Sequence, residues 1–308
     1  MVERIEKKIL ITGAAGMLGK ALISRFNDRF CVIALDLNPV KENNSSIVFC
    51  PADICNLDAL NGIFHKYRPE IVIHAAAYTD VDGCENKTEL AYRINGQGTQ
   101  NIACLCKQIK AKLIYTSTDY VFDGSKGGAY REDDPPNPLN VYGRSKLEGE
   151  KAVARTIAEY LIVRTSWLFG AGGKNFVDTI IDKAGKGEQL KVVNDQIGSP
   201  THTESLAQAI EKLIGHIFQK NKRNAYGIYH ITNSGTCSWF EFAREIIDLS
   251  KTKAQILPLS SAEFARPAQR PAISILDNSR YNEIIGHSLC SWQEALKQYI
   301  VKEKGSLR

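Results

Sequence analysis

Tyr142 stands four residues before Lys146 in the run Asn140-Val141-Tyr142-Gly143-Arg144-Ser145-Lys146. On a helix that spacing puts a phenol and an ammonium on one face, one turn apart. A free phenol titrates at about 10, and a cation beside it favours the phenolate. Bringing it toward 7 takes roughly 4 kcal/mol, at about 1.4 kcal/mol per pH unit. Taken alone, the pair is a weak signal, better read as a solvated helix start. What decides is whether the rest of the chain supplies partners for it.

Two further groups of residues do. The apolar run Lys112-Leu113-Ile114-Tyr115-Thr116 continues into Ser117-Thr118-Asp119-Tyr120. In a parallel sheet the carboxyl ends of strands face the ligand crevice, so Thr118 is expected to point into it. Near the start, Gly13-Ala14-Ala15-Gly16-Met17-Leu18-Gly19 separates a short apolar run, Lys8–Thr12, from a helix pattern beginning at Met17. Glycines at 13, 16 and 19 form a variant of the dinucleotide fingerprint. They serve, in order, the tight turn, the close approach of backbone to a pyrophosphate and the packing of helix on strand. The helix N-terminus beyond them, at Met17 and Leu18, presents free N–H groups to the phosphates. Asp36 ends the second apolar run, 20 residues after Gly16, where a carboxylate accepts hydrogen bonds from an adenosine ribose. A carboxylate there disfavours a 2′-phosphate, so NADH is favoured over NADPH as the cofactor. Asp53 and Ile54 are expected near the adenine, and the small residues Ala75, Ala76 and Ala77 on the nicotinamide side. Together these groups suit the reduction of a carbonyl. Thr118 would hydrogen-bond the substrate oxygen, Tyr142 would protonate the developing alkoxide, Lys146 would tune the phenol, and a nicotinamide would deliver hydride.

The elements that must position them alternate along the first half. Short apolar runs at Lys8–Thr12, Cys31–Leu35, Ile47–Phe49, Ile71–His74, Lys112–Thr116 and Tyr160–Arg164 alternate with helix patterns at Met17–Asn27, Leu57–Tyr67, Glu89–Ile109 and from Asn140 to about Ala158. Continuous apolar strands separated by helices require a parallel sheet covered on both faces. The predicted fold is therefore α/β: a doubly wound, Rossmann-type parallel sheet over residues 1–170, with a smaller mixed α/β substrate lobe over 171–308. In the second part we expect helices at Asn175–Ala184, Glu204–Phe218, Trp239–Leu249 and Trp292–Val301, and strands at Leu190–Val193 and Gly227–Ile231, the last returning to the main sheet.

Composition excludes other classes. Of 308 residues, 44% are hydrophobic and 24% charged, and a net charge of +5 is spread along the chain, which does not argue for a nucleic-acid partner. Met1–Lys8 carries both signs and no apolar core, so no signal peptide is expected, and no apolar run approaches the length of a membrane span. The eight cysteines form no CxxC and no zinc-ligand spacing. They are read as small buried side chains in a reducing cytoplasm.

The combination of GxxGxxG, Ser117–Gly124 (STDYVFDG), Asn140–Lys146, Arg164–Gly170 (RTSWLFG), Asn194–Thr201 (NDQIGSPT) and Gly227–Ala243 resembles the extended short-chain dehydrogenases/reductases over essentially the whole chain. Within them it is most similar to the dTDP-4-dehydrorhamnose reductases. The resemblance implies that Thr118, Tyr142 and Lys146 form a catalytic triad, and that Asn95 organises the lysine. It implies that Thr118 and Asp119 contact the sugar and Trp167 packs on it. The implied substrate is a nucleoside-diphosphate sugar, which calls for a cation at the diphosphate; Arg270, in a Pro-rich loop, is the candidate. Some members dimerise through a magnesium ion held in part by an acidic residue two positions after the third glycine. Here that position is Ala21, so no metal is expected, and a homodimer stays open. A related 4,6-dehydratase would need an Asp-Glu pair after the threonine, where this chain has Asp119-Tyr120. Epimerases share the fold but recycle their cofactor. The similar regulatory subunit of methionine adenosyltransferase departs at the Thr-Asp pair and the RTSW stretch, both present here.

Overall fold

The computed structural model describes residues 7–40, 46–219 and 225–305. Most of the Met1–Lys8 stretch read above as lacking a leader lies outside the described residues. The first half runs β1 (Lys8–Thr12), α1 (Met17–Phe26), β2 (Cys31–Asp36), β3 (Ile47–Pro51), α2 (Leu57–Tyr67), β4 (Ile71–His74), α3 (Val81–Asn86), α4 (Thr88–Ala91), α5 (Thr99–Ile109), β5 (Lys112–Thr118), α6 (Val141–Thr156) and β6 (Tyr160–Thr165). The second half continues with β7 (Leu168–Phe169), α7 (Phe176–Gly185), β8 (Leu190–Val193), β9 (Ile197–Gly198), β10 (Thr201–His202), α8 (Thr203–Leu213), β11 (Gly227–His230), β12 (Cys237–Ser238), α9 (Trp239–Ser250), β13 (Ile256–Leu259), α10 (Ser279–Ile285) and α11 (Trp292–Lys304).

The central sheet has seven strands in the order β11-β6-β5-β4-β1-β2-β3, each pair parallel. The order reverses beside β1: β2 and β3 lie on one side, β4, β5, β6 and β11 on the other. Such a switch point opens a crevice beyond the strands' carboxyl ends. Both faces are covered, as continuous apolar strands demand. On one face Leu22, Ile23 and Phe26 of α1 and Leu206, Ile210 and Leu213 of α8 pack on Ile9, Ile11 and Val163. On the other, Leu60 and Phe64 of α2, Ile102 and Leu105 of α5 and Val153 of α6 pack on Leu10, Val72 and Leu113. Burying each of these side chains contributes about 1.5–3 kcal/mol. A third core joins Phe169, Val177, Ile180, Phe242, Ile246, Trp292 and Tyr299 beneath the crevice-facing end of the second half.

The predicted helix over Glu89–Ile109 is interrupted. Between α4 and α5 the chain makes a π-helical stretch, Tyr92–Gly98. Such stretches are rare and concentrate at functional sites; here it carries Asn95, buried at 1% exposure. The predicted Glu204–Phe218 helix likewise passes from α8 into a π-helical turn at Ile214–Gln219. All eight cysteines are free; Cys50, Cys84, Cys106 and Cys237 are buried and the other four partly so. Among the described residues no helix is long and apolar enough to cross a membrane. No group of three or more His, Cys, Asp or Glu among them is arranged to hold a metal ion.

Candidate active site

The crevice is a cleft of about 960 Å³, at the upper end of the range for small-molecule sites. Its floor at one end is the loop after β1. Gly13 has φ +69°, and a Cβ there would sit 2.7 Å from the Ala76 nitrogen. Gly16 N–H donates to Gly13 O (3.0 Å), closing the turn, and Gly16 caps α1 with no side chain over the helix end. The N-terminal amides of α1 at Met17 and Leu18 therefore face the cleft that both residues line. Asp36, Asp53, Ile54, Ala75, Ala76 and Ala77 line the same cleft. Asp36 is held from below: Oδ2 accepts from Ala15 N–H (3.0 Å) and Oδ1 from Asn38 N–H (2.9 Å). Asp53 Oδ1 accepts from Cys55 N–H (2.9 Å), fixing the turn that presents Ile54.

Across the cleft stand Thr118, Asp119, Tyr120, Tyr142 and Lys146, joined by Thr116, Ser117 and Thr165 from the ends of β5 and β6. Asn140 caps α6, its Oδ1 accepting from Gly143 N–H (2.8 Å), so Tyr142 falls in the first helical turn. Gly143 permits the helix to approach the Thr118–Tyr120 turn: a Cβ there would lie 2.1 Å from Tyr120 O. Lys146 is 3% exposed, donates to Thr116 O at 2.7 Å and stands 4.2 Å above the Tyr115 ring. Thr116 Oγ1 and Thr165 Oγ1, buried hydroxyls of residues that line the cleft, have no hydrogen-bond partner among the described residues. Buried polar atoms of this kind are ordinarily satisfied. With a glycine cradle that side chains would fill, they fit a polar dinucleotide lying along the cleft.

The electrostatics differ from the sequence expectation. Tyr142 is pushed up, not down: burial is the largest cause and the Asp119 carboxylate the next, while a hydrogen bond with Thr118 opposes them. The Lys146 ammonium is directed onto the Thr116 carbonyl. Burial lowers Lys146 to about 7, with the Glu150 carboxylate opposing. The phenol is thus held protonated, the form a proton donor needs.

Asp119 is 2% exposed; its Oδ1 accepts from Thr118 Oγ1 (3.0 Å), and burial pushes its carboxyl up to about 6. The folded value lies above the unfolded one, so the native state keeps its proton longer. Stability should therefore fall as pH rises from about 4 through 6, by on the order of 3 kcal/mol. Asp119→Asn is expected to raise stability in urea unfolding at pH 8 and to change it little at pH 4. Equal effects at the two pH values would contradict the assignment.

Asn95 does not touch Lys146. Its Oδ1 accepts from Tyr78 N–H (2.8 Å), and its Nδ2 donates to Tyr78 O (3.1 Å) and Ser145 Oγ (2.9 Å). Ser145 Oγ in turn donates to Tyr142 O (2.8 Å). Behind Asn95 a buried chain reaches the first strand. Thr99 Oγ1 donates to Asn95 O (2.7 Å), and His74 Nε2 lies 3.0 Å from Thr99 Oγ1. Thr12 Oγ1 lies 2.7 Å from His74 Nδ1 and accepts from Ala76 N–H (3.2 Å). With Thr99 already donating, the imidazole must donate from Nε2 and accept at Nδ1. Burial keeps it neutral, lowering it to about 3. Asn95 is therefore linked on one side to the end of β1 and on the other, through Ser145, to the first turn of α6.

Trp167 lines the cleft with φ +48° and stacks on Trp239 (3.6 Å between ring centroids, 9° between planes). Sequence reading missed Trp239, which looks like an ordinary apolar helix residue; the Ser238–Glu241 capping box that places it at the start of α9 was the available signal. It missed Tyr120 as well, whose ring meets Tyr142 edge-on at 5.9 Å. Arg270 is not among the cleft-lining residues. Its guanidinium grips Asp82 with Nη1 to Oδ1 and Nη2 to Oδ2, both at 3.1 Å, and Arg266 Nη1 reaches the same carboxylate at 3.2 Å. This clamp ties the 265–271 loop to α3 beside Tyr120.

Residues 7–304 match the family described as RmlD substrate binding domain. The spore coat polysaccharide biosynthesis protein SpsK of Bacillus subtilis (strain 168) is 40% identical, over 95% of this chain and 96% of its own length. A dTDP-4-dehydrorhamnose reductase of Aggregatibacter actinomycetemcomitans is 38% identical, over 94% of this chain and 97% of that protein. Among solved structures, the dTDP-4-dehydrorhamnose reductase of Bacillus anthracis, in complex with NADP, superposes with a TM-score of 0.87 at 39% identity, over 97% of this chain and 100% of that one. A cleft with a glycine-rich floor at one end and a Thr-Tyr-Lys group across it, on a sheet of this topology, agrees with those likenesses: the chain belongs to the dTDP-4-dehydrorhamnose reductase family.

Proposed function

We propose that the protein reduces the C4 ketone of dTDP-4-dehydro-6-deoxy-L-mannose (dTDP-4-dehydrorhamnose) to dTDP-L-rhamnose with NADH or NADPH, the last step in making that activated sugar. One observation carries the reading: Thr118, Tyr142 and Lys146 line the same cleft as the glycine loop and Asp36. Gly13, Gly16, Met17, Leu18 and Gly19 would hold the cofactor's pyrophosphate, Asp36, Asp53 and Ile54 its adenosine, and Ala75–Ala77 with Lys146 and Tyr142 its nicotinamide end. The chemistry a reduced nicotinamide would supply when bound is hydride for C4 of the sugar. Thr118 Oγ1 fixes the ketone oxygen and Tyr142 gives it a proton. Lys146 lines the cleft and keeps a positive charge near the developing alkoxide. Asp119 contacts the sugar, and Trp167, backed by Trp239, forms an apolar wall for the 6-deoxy carbon. Arg270 reaches the diphosphate only by leaving Asp82. Asp36 favours NADH, whereas the Bacillus anthracis relative was solved with NADP. Residues 1–170 serve as the dinucleotide domain and 171–308 mainly as the substrate lobe, in a cytoplasmic enzyme that can form a homodimer.

Incubation with the 4-keto sugar nucleotide and each reduced cofactor separately tests this. One equivalent of cofactor should be oxidised per ketone consumed. Isomerisation of the ketone without net oxidation would instead mark an epimerase, and formation of the ketone from a 4-hydroxy sugar nucleotide a dehydratase; the absence of a carboxylate at Tyr120 speaks against the latter.

A further inference from the structure

Beneath the cleft lies an ion pair for which the reaction has so far given no use. Glu150 and Arg164 are 3% and 2% exposed. Arg164 Nε donates to Glu150 Oε1 (2.9 Å) and Nη2 to Oε2 (2.7 Å), while Ser117 Oγ donates to Oε1 (2.5 Å). Arg164 is itself held over the Phe122 ring (5.0 Å), with Nη1 3.5 Å from His230 Nε2. A buried ion pair is weak as a source of stability, because both charges leave water and well-packed apolar groups of the same volume serve as well or better. Its position points to another use. Glu150 follows Lys146 by four residues on α6, so Tyr142, Lys146 and Glu150 occupy three successive turns of one helix face. Ser117 joins the carboxylate to the cleft wall, one residue from Thr116, whose carbonyl receives the Lys146 ammonium.

We propose that Glu150 is a positioning residue, the buried countercharge that keeps the Lys146 side chain cationic and seated on the Thr116 carbonyl. The groups facing Lys146 are few. On α6 they are Tyr142 and Glu150; on β5 Tyr115, with Asp119 just beyond; on β4 His74; and on β6 Arg164, behind Glu150. Tyr115 and Tyr142 are held protonated and His74 neutral. Glu150 is the charge that acts on Lys146, raising it against burial. Arg164 occupies the other side of the carboxylate, gripping both of its oxygens.

The proposal rests on the reductase reading, so the first readout is independent of turnover. The Lys146 ammonium is titrated by NMR of isotope-labelled lysine in the full chain, assigned by its loss in Lys146→Arg. Glu150→Gln should lower the midpoint by about one pH unit, and Glu150→Asp should hold it within a few tenths. The alkaline limb of kcat should move by the same amount, costing about tenfold in rate above it and recovering as pH is lowered. Should Glu150→Gln fail to fold, Ser117→Ala leaves the ion pair whole and removes one donor from the carboxylate. More of its charge then acts on Lys146, and the midpoint should rise. A Lys146 midpoint that does not move in whichever of these variants folds overturns the proposal. A parent protein that reduces no ketone, with the midpoint shifts intact, overturns the reductase reading alone.

Discussion

Tyr142→Phe should lower turnover by about a thousandfold, within the range for removing a positioned general acid, while cofactor affinity stays nearly unchanged. The ring remains against Tyr120 and in the first turn of α6, so the helix cap at Asn140 and the Ser145 bond to the Tyr142 carbonyl survive. Only the hydroxyl is lost. It is the group that burial and Asp119 hold protonated, so its removal takes away the proton and little of the shape. Single-turnover rates and cofactor titration by fluorescence measure the two quantities separately. An undiminished rate would mean that another group protonates the alkoxide. Loss of cofactor binding equal to loss of rate would place the hydroxyl in binding, not in proton transfer.

Gly19→Ala should abolish cofactor binding at concentrations that saturate the parent, and with it all turnover. The added methyl would lie 2.1 Å from Gly13 O and 2.7 Å from the Ala14 Cα. Both neighbours are backbone, and neither can rotate aside. Gly13 O accepts the Gly16 N–H that closes the loop, and Ala14 N–H is bound to Leu35 O (3.3 Å). Relief requires α1 to lift from β1, which withdraws the helix N-terminus from the phosphates. The core of α1, with Leu22 and Phe26 fully buried, should still hold the fold together. The expected signature is therefore a folded protein by circular dichroism with no cofactor binding by calorimetry. Retained binding would show that the loop does not carry the pyrophosphate.

The parts of this molecule that were legible in the sequence share a physical cause. β1, α2, β4 and β8 begin and end where the apolar runs and their flanking turns put them, because a strand buried on both faces needs an unbroken apolar run and a helix needs caps. The cleft residues Thr118, Tyr142 and Lys146 were legible for a related reason: strand ends and helix spacing fix where they point. What was hidden depends on contacts distant along the chain or on segments too short for a period. The six residues of α3 and the two-residue strands β7, β9, β10 and β12 carry no periodicity. The π-helical stretch that turns Asn95 inward has the composition of an ordinary helix. Arg270 meets Asp82 across 188 positions, and nothing near Arg270 announces that its charge is already engaged. The phenol's direction of shift was also hidden, since it depends on how deeply the ring itself is buried and on the Asp119 carboxylate beside it.

The account's central claim is that the cleft moves hydride from nicotinamide to a sugar ketone while the protein supplies the proton. It is tested most directly by isotope. The protein is given the 4-keto sugar nucleotide and a reduced cofactor carrying deuterium at both C4 positions of the nicotinamide, in ordinary water, and the product is read by NMR. The account predicts a fully deuterated sugar C4 bearing a hydroxyl whose proton came from solvent. Protium at that carbon, or a product that still holds its ketone, would contradict it.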